Sequence, residues 1–141
     1  MENHGWRKEL DKADTRVVAM NPKTWKWLAG AFLVFLLAVA IAADRGTLPQ
    51  WIKGIYRFPN GDRVGHFALY GILAFLSVRA YPRQVSIAGR SLPLAVLVVV
   101  LLAALEELSQ FWFPLRTPDW LDLTAGILGI FTSTLFKPRT G

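Results

Sequence analysis

The seventeen residues from Trp27 to Ala43, WLAGAFLVFLLAVAIAA, contain no charged side chain. A chain that crosses a bilayer as a helix needs about 20 predominantly apolar residues. With Trp25 and Lys26 as an amphipathic anchor at its start, this stretch reaches that length. A cleaved signal peptide is the alternative, because Ala40-Ile41-Ala42 resembles a processing site. The long polar segment before it and the length of the apolar run favour an uncleaved first span.

Three further apolar stretches follow, and each is polar at one end. The charge-free parts are 64–78, 91–105 and 123–136. They reach membrane length only when Asp62 and Arg63, Glu106 through Phe113, and Asp119 through Asp122 are counted in. The chain is 141 residues long and 53% hydrophobic. A soluble core of this size cannot bury that much apolar surface, so a bilayer must supply the rest of the environment. The expected fold is an all-α integral membrane four-helix bundle, with spans at about 25–43, 62–80, 91–113 and 119–136. Residues 1–24 read as a basic tail ahead of one transmembrane domain at 25–137.

Between the first two spans, Leu48, Trp51, Ile52, Ile55 and Tyr56 recur at helical spacing. This predicts a short amphipathic helix lying in the membrane interface. Pro59-Asn60-Gly61 then turns the chain.

Charge distribution sets the orientation. Arg7, Lys8, Lys12, Arg16, Lys23 and Lys26 fall on one side, with Arg79, Arg83, Arg90, Lys137 and Arg139. Only Arg45, Lys53, Arg57, Arg63 and Arg116 fall on the other. The excess of positive charge predicts that both termini are cytoplasmic. The net charge of +6 is spread over tails and loops, as topology signals and anionic lipid require, and not as a nucleic-acid surface. With no cysteine, disulfides and thiolate metal sites are excluded.

In an up-down bundle the polar ends of spans two, three and four all lie at the outer face. Asp62, His66 and Tyr70 are spaced i, i+4, i+8 and share a helix face. Glu107 and Gln110 close the third span, and Arg116, Asp119 and Asp122 open the fourth. Ionisable groups in spanning segments are costly and face a bundle interior or watery cavity, so these residues are the candidate site. Glu106 lies about 100° round the helix from Glu107, so the two cannot point inward equally. Asp62 and Asp119 also suit helix N-caps. Gly126, Gly129 and Ser133 continue the Asp122 face and predict close helix packing.

Taken in order, Asp62-Arg-Val-Gly-His66-Phe-x-x-Tyr70, Glu107-Leu-Ser-Gln110, and Arg116-x-x-Asp119-x-x-Asp122 with Gly129 resemble the VanZ-like family of small bacterial membrane proteins. The resemblance covers residues 60–132. It favours Glu107 over Glu106 as the inward carboxylate. It implies a multi-pass protein of the bacterial cytoplasmic membrane, in a family whose founding member is associated with resistance to the glycopeptide teicoplanin. Arg63 stands where the family often has Lys, and Gly126 where it often has Asn.

Three roles remain open. A binding module would hold an anionic envelope lipid, a lipid-linked wall precursor or a glycopeptide, using Arg63, Arg116 and the positive ends of two helices. An enzyme on such a lipid would use His66, Glu107 and Asp122 for acid–base work, with Arg116 on the developing charge. A structural subunit would use the charges only as staples, through an Arg116–Asp122 or Arg116–Glu107 pair. Neither a cofactor nor a metal is expected, since there is no histidine pair and no compact ligand spacing.

Overall fold

The computed structural model describes residues 20–136. Most of the basic N-terminal tail, and Lys137 and Arg139, lie outside the described residues. The chain is mostly helical. Its elements are α1 (Pro22–Asp44), α2 (Gln50–Tyr56), α3 (Gly61–Ala80), a hairpin of β1 (Gln84–Ile87) and β2 (Arg90–Pro93), α4 (Leu94–Ser109) and α5 (Trp120–Ser133). Single 3-10 turns at Gln110–Trp112 and Thr134–Phe136 extend α4 and α5.

Local chemistry sets the helix ends. Asn21 caps α1 by accepting the Lys23 N–H at 2.9 Å, and Pro22 follows with its preset φ. At the other end Gly46, at φ +69°, turns the chain left-handed. Its N–H reaches the Ala43 carbonyl, and the Thr47 N–H reaches Ala42. This double bond pattern closes the helix and needs glycine at that position. Pro82 ends α3, because the residue before a proline is pushed out of the helical region.

Asp119 caps α5 by accepting the Leu121 N–H at 2.9 Å. Replacing it with alanine is expected to cost about 1 kcal/mol, while asparagine, which can cap equally well, should be close to neutral. Thermal melting of both variants in detergent checks this. Equal loss in the two would mean that the negative charge matters and the cap does not. Asp62, also expected as a cap, instead sits in the first turn of α3. The cap position is taken by Asn60 in a left-handed conformation, and its side chain accepts from no backbone N–H of the helix.

The hairpin departs from the all-α expectation. Residues 91–93 belong to β2, so the expected third span starts as α4 at Leu94 and not near Ser91. Pro93 is the reason: it biases Leu92 to extended backbone, so the helix cannot start before the proline. Val85 pairs with Leu92 and Ser86 with Ser91. The two-residue turn holds Ala88 and Gly89 at φ +49° and +75°, the pattern of a tight hairpin with right-handed twist.

Packing centres on α3, which contacts α1, α4 and α5. Its face carries Tyr70, Leu73 and Ala74, buried with Val96, Val99 and Ala103 of α4 and Ile130 of α5. The α3–α5 contact is close enough to be made by backbone. A methyl at Gly71 would sit 3.1 Å from the Gly129 carbonyl, and one at Gly129 would overlap the Phe67 carbonyl. Small residues permit this approach.

The outer surface is apolar. Val34, Leu37 and Ile41 of α1, Val98, Leu101 and Leu105 of α4, and Leu128 and Phe131 of α5 are all exposed. Two helical segments, Pro22–Asp44 and Leu94–Trp112, are long and apolar enough to cross a membrane. Trp120–Phe136 is apolar but shorter.

Candidate functional site

Ionisable groups from every long helix converge at one end of the molecule. This end holds the C-terminus of α1, the start of α3, the end of α4 and the start of α5. They surround a cleft of about 640 Å³. Asp62, His66 and Tyr70 reach it from α3, Glu106 from α4, Gln110 from the 3-10 turn, Arg116 from the following loop and Asp122 from α5. The segment 46–57 adds Lys53 and Arg57, and the α1 residues Leu36, Val39 and Ala43 form an apolar wall.

Glu106 is the hub. Its Oε1 accepts from Gln110 Nε2 at 3.1 Å and from Arg116 Nη2 at 3.4 Å. Its Oε2 lies 3.5 Å from His66 Nε2, at ion-pair distance but without hydrogen-bond alignment. The other ring nitrogen of His66, Nδ1, lies 3.0 Å from the Asp62 carbonyl one turn back and 4.0 Å from Asp122 Oδ2. A backbone carbonyl can only accept, so Nδ1 carries a proton and Nε2 faces Glu106. Tyr70 stacks under the imidazole, with the ring planes 13° apart.

Glu107, the expected inward carboxylate, and its neighbour Glu106 take different places. Glu107 is the more deeply buried of the two, at 3% exposure, but it does not line the cleft. Its Oε1 accepts the Asp119 N–H at 2.5 Å and its Oε2 accepts from Gln110 at 3.4 Å. It ties the end of α4 to the start of α5. Glu106 points into the cleft because α3 and the Arg116 loop lie on its side of the helix. The expected pairing of Arg116 with Asp122 or Glu107 is replaced by Arg116–Glu106 at 3.4 Å. Arg63 and Asp119 pair with each other at 3.5 Å on the outside of the cluster, each about two-fifths exposed, and do not line the cleft. Arg63 also donates to Asn60 Oδ1.

Sequence reasoning missed Asp44, at the end of the first apolar stretch. Its Oδ1 is buried with no hydrogen-bond partner, as are Glu106 Oε2 and Asp122 Oδ1. Buried carboxylate oxygens normally find a donor, and these three have none within the fold. The end of an apolar run is where such a residue could have been suspected.

The donor atoms of His66, Glu106 and Glu107 lie within 4.8 Å of one another. A histidine and two carboxylates suit a hard or borderline divalent ion. Three of their four carboxylate oxygens are already engaged, Glu106 Oε1 by Arg116 and Gln110, Glu107 Oε1 by the Asp119 N–H and Glu107 Oε2 by Gln110. The compact grouping was not visible in the sequence because its members lie forty residues apart.

The arrangement thus sets guanidinium and ammonium donors beside carboxylates, against an apolar wall. It can hold a polar group carrying both an anion and hydrogen-bond donors. It can also move a proton between His66 and Glu106. Comparison of the chain with protein-family models, with curated proteins and with solved structures gives no match.

Proposed function

We propose that this chain is a multi-pass protein of a bacterial cytoplasmic membrane, related to the VanZ-like proteins it resembles, and that its cleft binds the headgroup of an envelope amphiphile. The apolar outer surface supports membrane insertion, since soluble proteins rarely expose contiguous apolar patches larger than a few hundred Å². The four longer helices serve as the spans. The positive-inside bias puts the cleft on the outer face and both termini in the cytoplasm. Segment 46–57 lies at the interface over the cleft.

The observation that carries the binding reading is the mixed lining of the cleft. Arg116, Arg57 and Lys53 suit a phosphate, while the carboxylates of Asp62, Glu106 and Asp122 suit ammonium or sugar hydroxyls. A zwitterionic or sugar-bearing lipid phosphate, a lipid-linked wall precursor among them, offers both. A glycopeptide offers the amine and the hydroxyls.

Two experiments test this. The chain has no cysteine, so single cysteines report topology directly. A membrane-impermeant maleimide should label Phe58→Cys in intact spheroplasts and should label Ser86→Cys only after lysis. The reverse pattern would overturn the orientation. Native mass spectrometry of protein extracted with its own lipids should then show a phosphate-bearing amphiphile. Its retention should fall about tenfold or more in Arg116→Ala, the loss of one charge-assisted bond. Unchanged retention in a folded Arg116→Ala protein would remove the headgroup reading.

An enzymatic role is the second reading, favoured by His66 facing Glu106 within a cleft open to ligand. It predicts turnover of a lipid phosphate that disappears in His66→Ala. Binding without turnover in the wild type would leave the cleft as a receptor.

A further inference from the structure

A second cleft, of about 690 Å³, lies toward the opposite end of the molecule. It exists because α3 packs against both α1 and α4 while no comparable packing joins α1 to α4. The floor is the α3 face at Leu73, Ser77 and Ala80. The walls are Gly30 and Leu33 of α1 and Val98, Val99 and Leu102 of α4. Leu36 and Tyr70, both buried, stand on the α1 and α3 turns between this cleft and the polar one.

The lining is almost entirely apolar except at the mouth, where Lys26, Tyr81 and Arg83 stand. Lys26 Nζ lies 5.5 Å from the Tyr81 ring centroid, which holds it at the opening. Among the described residues no carboxylate lies within ion-pair distance of Lys26 or Arg83. Two cations that no carboxylate among the described residues pairs, at the mouth of a hydrocarbon-lined slot, match a phosphate on an acyl chain. From Ala80 to Leu73 the α3 floor runs about 10 Å at 1.5 Å per residue, and the α4 wall from Leu94 to Leu102 runs about 12 Å. The slot therefore takes the upper part of one acyl chain.

We propose that this cleft is a binding site for one anionic phospholipid, its phosphate between Lys26 and Arg83 and one acyl chain between α1 and α4. The site rests on the membrane reading above but not on the ligand of the polar cleft. The same charge bias that orients the chain puts Lys26 and Arg83 at the cytoplasmic leaflet, where anionic lipid attracts basic side chains.

Gly30 supplies a clean probe. A Cβ there meets nothing within 4 Å and Gly30 lines the slot, so Gly30→Leu puts a side chain into that space with no clash at its first carbon. The protein is reconstituted in nanodiscs of equal parts phosphatidylglycerol and phosphatidylcholine, then released and weighed by native mass spectrometry. The wild type is expected to retain phosphatidylglycerol selectively. The Lys26→Ala/Arg83→Ala protein is expected to lose it by roughly ten- to thirtyfold, at about fivefold per basic side chain. Gly30→Leu should lose it as well, with its charges intact. Selective retention that survives both changes overturns the site. Alkaline carbonate extraction of the same proteins separates the two levels: variants that stay in the membrane fraction test the site itself, whereas a wild type that washes off overturns the membrane reading and the site with it.

Discussion

Gly129→Ala is expected to abolish the folded protein or lower its stability by at least about 3 kcal/mol, the upper end for overpacking. The added methyl would overlap the Phe67 carbonyl and lie within 2.8 Å of its carbon. Both are backbone atoms of α3, so no side chain can swing away to make room. The helices would have to separate along their length. That would loosen the Gly71 contact and the Ile130 packing in the core. It would also move Asp122 away from His66. Gly30→Ala is the matched control, because its Cβ meets open space and alanine favours helix by about 1 kcal/mol over glycine. Thermal melting and gel filtration in detergent read both. A Gly129→Ala protein that melts with the wild type would mean that α3 and α5 are not this close.

The second large effect is expected at Glu106. Glu106→Ala should destabilise the protein by about 2–4 kcal/mol and eliminate amphiphile retention. Its side chain is only 17% exposed, so water cannot take its place easily. Removing it leaves the Arg116 guanidinium and the Gln110 amide without their acceptor and takes the carboxylate from beside His66. Glu106→Gln keeps the volume and one acceptor, so it should recover much of the stability without restoring the charge that holds Arg116. Glu107→Ala should behave differently. It removes the acceptor of the Asp119 N–H and loosens the start of α5. Its effect on ligand retention should follow its effect on stability. Retention lost with Glu107 while Glu106→Ala stays wild type in both measurements would restore the assignment made from sequence.

These two positions also mark how far the sequence could be read. Gly126 and Gly129 on the Asp122 face are readable as a close-packing stripe, because small residues at helical spacing have few other uses among apolar neighbours. Which helix they meet is not readable: the partner, Phe67 and Gly71 of α3, is set by three-dimensional fit. The choice between Glu106 and Glu107 is of the same kind. Adjacent residues on a helix point about 100° apart, and only the positions of α3 and the Arg116 loop decide which faces the cleft.

The sequence by itself determined the helical segments and their polar ends, because hydrophobic length and local charge are properties of contiguous residues. It determined that His66, Gln110, Arg116 and Asp122 belong to ends that can meet. The hairpin at 84–93 was hidden because its turn, Ala88-Gly89, lacks the usual asparagine or aspartate, and the short strands flanking it carry little periodicity. Only the tertiary structure decided that Asp44 joins the cluster, that Arg116 pairs with Glu106, and that α1 and α4 stand apart over α3. Each of these depends on how helices cross and lean, which follows from side-chain fit summed over whole faces and not from any local run of residues.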